Sequence, residues 1–106
     1  MITIAPKLFA EMSGPESAIV LKALEKSRVK QDELMAQGLS EDELDVRVPV
    51  LVASIVFHIS SGLRRIGYDD ARIVGFLWNI MGPFMESIDL PRPTAATIFQ
   101  DPEGAN

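Results

Sequence analysis

VPVLVASIVFHISSGLRR, residues 48–65, is the strongest apolar stretch of this chain and carries its one histidine, His58. It can be read as a bilayer span, as the buried centre of a small helical fold, or as the wall of a site around His58. Length argues against the span. Residues 48–63, between Arg47 and Arg64, fall short of the roughly twenty apolar residues that cross a bilayer core. Pro49, Ser54, His58, Ser60 and Ser61 interrupt them. An advance of about 100° per residue places Arg47, Ser54, His58, Ser61 and Arg65 on one narrow stripe. Apart from Ser60 and Arg64, the rest of the surface is apolar, the pattern of a helix packed between neighbours.

Outward from this stretch, further helices are signalled. Upstream, Ser13 and Glu16 have the spacing of a capping box, and Pro15 stands at an early helical position where its missing N–H costs nothing. This predicts a first long helix over about 15–37, stopped by Gly38. Its heptad-like seam of Val20, Leu24, Ser27, Gln31 and Leu34 reads as ordinary core packing. Ser40 and Glu43 repeat the capping pattern and open a second helix over about 40–66, with a kink or short break expected at Pro49. The β-branched run at 46–52 keeps a strand open as an alternative there. Asp69 caps a third helix over about 70–88, kinked at Gly82-Pro83. Gly75 and Gly82, two turns apart, suggest a face where a neighbouring helix comes close. Before the first long helix, Pro6 starts a short helical turn that ends near Gly14.

The expectation is an all-α fold, a small bundle of three main helices with irregular termini. Residues 1–90 form a single helical domain, and 91–106 an irregular proline-containing tail anchored by Ile98 and Phe99. At 106 residues the chain has the size of one domain, and 47% of it is hydrophobic. A chain this short has a limited core, so the surplus apolar surface needs a cover. A homodimer packed through the second and third helices supplies one.

Composition narrows the function classes. Fifteen acidic against ten basic side chains give a net charge of −5, which opposes binding to nucleic acid. Without cysteine there is no disulfide, thiolate metal site or cysteine nucleophile. One histidine without a paired carboxylate leaves too few metal ligands, so neither a metal nor another cofactor is expected. Ser54 and Ser61 lie within reach of His58, but nothing marks an oxyanion-stabilising partner. The start of the chain lacks the basic and apolar regions of a secretory signal, so the expected location is cytoplasmic.

The reading that follows is a non-enzymatic interaction protein, an adaptor, regulator or assembly factor, acting through a dimeric helical surface. Phe76, Trp78, Met81, Phe84 and Met85 are the candidate interface for the partner copy or a protein partner. The alternative is a small-molecule or anion-binding protein, enzymatic or not. It would use the polar stripe of Arg47, Ser54, His58, Ser61 and Arg65, with Trp78 and Phe84 as apolar lining.

Overall fold

A computed structural model describes residues 4–99. The described residues form five helices and no strand: α1 (Pro6–Glu11), α2 (Gly14–Ala36), α3 (Glu41–Arg65), α4 (Asp70–Ile80) and α5 (Gly82–Ser87). The all-α reading therefore holds for them, and the strand alternative at 46–52 does not.

The helix starts follow from local chemistry. At α2 the capping box is complete: the Glu16 N–H donates to Ser13 Oγ at 3.2 Å, and the Ser13 N–H donates to Glu16 Oε1 at 2.8 Å. At α3 the Glu43 N–H donates to Ser40 Oγ, but the Glu43 carboxylate accepts from the serine hydroxyl instead of the backbone. Asp69 Oδ1 accepts from the Arg72 N–H at the start of α4. The ends are equally local. Gly67 takes φ 97°, its N–H bonds the Arg64 carbonyl, and the Tyr68 N–H bonds that of Leu63. This left-handed closure is one that glycine adopts at least cost. Asp89, at φ 59°, makes the same closure after α5.

Of the kink or short break expected at Pro49, the break does not occur: α3 runs through it as one helix. Pro49 and Asp45 are both exposed, so water can take the carbonyl that the proline leaves without a donor. The third predicted helix does divide, with Met81 separating α4 from α5.

The core is built on α3. Val52, Ile55, Ile59 and Leu63 are fully or almost fully buried, against Val20 of α2 and Ile73 and Leu77 of α4. Each such side chain contributes roughly 1.5–3 kcal/mol when removed from water, so α3 supplies more of the fold's stability than its length alone implies. The one fully buried polar side chain among them, Ser60, donates to the Val56 carbonyl at 2.7 Å. By length and composition α3 could also cross a bilayer, and 39% of its most apolar window is buried within the fold.

α2 and α3 lie antiparallel at their closest approach. A Cβ on Gly62 would stand 2.7 Å from Ile19 Cγ2, so glycine is what lets the two helices meet there. Gly75 and Gly82 do not serve as the spacing suggests. Gly75 has open space around it, and Gly82 faces the Arg92 side chain instead of a helix. Past α5 the chain is irregular, as expected for 91–99, yet it returns to the core. Ile98 is fully buried, Arg64 stacks on the Phe99 ring at 3.9 Å, and the Trp78 indole N–H donates to the Pro93 carbonyl. The expected tail residues 100–106 lie outside the described residues.

Candidate functional site

The polar stripe of α3 faces α2. Arg47, Ser54 and His58 line a depression of ≈ 310 Å³ whose other wall is α2, with Lys26, Lys30 and Glu33. His58, Ser61 and Arg65 line a second one of ≈ 450 Å³, opposite Lys22 and Lys26. The two meet at Lys26 and His58 and form one groove along the α2–α3 seam. The structure thus brings all five residues of the predicted stripe onto a single surface feature.

The other wall is absent from the sequence reading. Lys22, Lys26 and Lys30 recur every fourth residue, which puts them on one flank of α2. Their spacing is legible in the sequence, but their pairing with the α3 stripe depends on how the two helices dock. Together the walls hold Lys22, Lys26, Lys30, Arg47 and Arg65, five of the chain's ten Lys and Arg residues. The one carboxylate on the lining is Glu33.

No ion pair among the described residues reaches the groove cations. Among the described residues the ion pairs are Arg64–Asp70 at 2.9 Å and Arg92–Glu86 at 2.7 Å, both away from the groove. Arg72 lies 3.8 Å over the Tyr68 ring. Arg64, Arg72 and Arg92 thus have partners of a kind that the groove cations lack among the described residues. His58 is half-buried at the waist of the groove, edge-on to Phe57 with ring centroids 5.5 Å apart.

Apolar side chains interrupt the cations. Val29 (49% exposed) and Val50 (47%) stand on the walls of the first depression, and Ile66 (47%) beside the second. Trp78 and Phe84, expected as the apolar lining, take no part in either depression. Nor do the five predicted interface residues form one exposed face. Met81 and Met85 are buried in the chain's own core, and Phe76 and Phe84 pack partly against it. The break at Met81 lets α5 turn Met85 inward instead of continuing the exposed face of α4. Trp78 remains exposed, held by Pro93 and with Arg92 5.1 Å over its ring.

Electrostatic perturbation lies elsewhere. The Tyr68 hydroxyl donates to Glu16 Oε2 and is the main reason the Glu16 carboxyl sits below its ordinary value, with the Ser13 N–H second. The same bond raises the Tyr68 hydroxyl. This pair ties the start of α2 to the turn before α4. No cluster of three or more metal-ligating side chains occurs among the described residues. The groove can therefore attract and orient anions through its cations, but it presents no assembled metal site. Compared with known proteins, the chain matches no family model, no curated protein and no solved structure.

Proposed function

We propose that this chain is a non-enzymatic binding protein, an adaptor or regulator in kind, that takes up carboxylate- or phosphate-bearing ligands in the α2–α3 groove. One observation carries the reading: five of ten cations converge on one groove with a single lining carboxylate, in a chain of net charge −5. Glu25 adjoins Lys22 and Lys26 in a neighbouring depression, so the reading rests on the excess of cations along the seam and not on an absence of carboxylates. An exposed ion pair contributes only about 0.2–1 kcal/mol, so useful affinity needs a ligand that reaches several of these cations together. Without cysteine to oxidise, the chain suits a reducing cytoplasm.

Calorimetric titration with poly-glutamate at low salt tests the reading. The wild type binds, and binding weakens as salt screens the exposed charges. Lys26→Glu/Arg47→Glu loses it, and Arg28→Glu, on another flank of α2, retains it. Equal binding by the groove variant and the wild type contradicts the proposal.

A competing reading is homodimerisation, favoured by an apolar line on α3. Val46 (76% exposed) and Val50 stand with the half-buried Ala53 and Phe57 at four-three-four spacing. Antiparallel pairing of two copies of α3 would bring the acidic first turn of one, Glu41, Asp42 and Glu43, toward Arg64 and Arg65 of the other. Light scattering over a dilution series decides it. This reading expects a dimer that Val46→Lys dissolves, and a monomer at every concentration removes it.

A further inference from the structure

We infer that the ligand of the groove is an acidic amphipathic helix of a partner protein, seated along the α2–α3 seam; this rests on the anion-binding reading above.

Three features choose this ligand over a compact anion. First, the cations are strung out instead of gathered. Lys22, Lys26 and Lys30 follow one another at intervals of about 6 Å along α2, and Arg47 and Arg65 stand about 27 Å apart along α3 at the rise of an α-helix. A single phosphate or a small dicarboxylate would meet one or two of them. A helix of about eighteen residues would run past all of them. Second, the groove offers apolar contacts that a small anion has no use for. Val29, Val50 and Ile66 are each about half exposed between the cations. An amphipathic helix has an apolar stripe for them and flanking carboxylates for the lysines and arginines. Third, the seam between two antiparallel helices is the surface into which a third helix fits its ridges. His58 and Lys26, shared by both halves of the groove, mark the middle of the seat.

The test uses the full chain and three probes: an eighteen-residue helical peptide with a leucine stripe flanked by glutamates, a scrambled peptide of the same composition, and inorganic phosphate. Fluorescence anisotropy at low salt follows the labelled peptides, and calorimetry follows phosphate. The amphipathic peptide binds at least tenfold more tightly than the scrambled one. Lys26→Glu/Arg47→Glu weakens it at least tenfold, and Val29→Ser/Val50→Ser weakens it several-fold, although those positions carry no charge. Arg28→Glu leaves binding unchanged, and thermal melts confirm that each variant is folded. Equal binding of the two peptides, both lost on charge reversal, overturns the helix and leaves an unselective anion groove. So does binding of phosphate alone. A dimer in the absence of peptide that groove charge reversal dissolves assigns the seat to a second copy and also overturns the inference. If none of the probes binds, the underlying anion-binding reading falls with it.

Discussion

Gly62 is where the sequence constrains the site most tightly. A Cβ there would stand 2.7 Å from Cγ2 of the Ile19 side chain, which is β-branched and stiff about χ1. Gly62→Ala should therefore destabilise the protein by about 1–3 kcal/mol, the usual cost of overpacking. Gly75→Ala, with open space around the added carbon, should stabilise it by roughly 0.5–1 kcal/mol through helix propensity. Denaturant melts of the two variants check the pair, and the same sign for both would contradict this account of the helix contact. The Tyr68–Glu16 bond gives a second prediction. Because the fold lowers the Glu16 carboxyl, that contribution to stability is present above the ordinary carboxylate value. It is lost as pH falls through the lowered one. Because the fold raises the Tyr68 hydroxyl, the same bond is also lost in alkali, as pH rises through the raised value. Tyr68→Phe should thus cost about 1 kcal/mol near neutrality, and the difference from wild type should vanish at acid pH. Melting temperatures of both proteins across the acid range show whether it does.

At the scale of elements, the helix starts are legible in the sequence because each rests on contacts three residues apart. Ser13, Ser40 and Asp69 all cap the helices that their spacing marks, although only Ser13 with Glu16 completes the reciprocal capping box. The seam of α2 is legible for the same reason, and Val20, Ser27 and Leu34 are buried. Pro49 shows where such reasoning stops. The local rule expects a kink or short break, but α3 continues as one helix: the Ser40 cap holds its first turn, Val48 packs partly against the core, and the missing hydrogen bond lies on an exposed turn. Pro49→Ala restores that donor and should stabilise the protein by roughly 1–2 kcal/mol, less than the full proline penalty because the variant's unfolded chain is also freer. Loss of stability in a denaturant melt would instead mean that the fold depends on a bend at this point. The path by which residues 91–99 reach the core is likewise out of reach of local rules. Ile98 and Phe99 do anchor the segment as expected, but the contacts of Pro93 with Trp78 and of Phe99 with Arg64 that hold it are not readable from the sequence.

At the scale of the whole molecule, the stripe through His58 points neither into the core nor to open solvent. It forms one wall of a groove that needs α2 for the other. Its five residues can be read from periodicity along α3 alone. The lysines of the other wall lie on a different helix, which comes close to α3 at Gly62 and Ile19. That an acidic protein keeps half its cations on one seam is what supports the proposed anion-binding role. The most direct test is a ¹H–¹⁵N correlation spectrum of the labelled chain, titrated with the acidic amphipathic peptide. The shifts should saturate together along both walls, at Lys22, Lys26 and Lys30 and at Arg47, Ser54, His58, Ser61 and Arg65, with α4 and α5 unmoved. Shifts confined to other surfaces, or a spectrum that does not change, would contradict it.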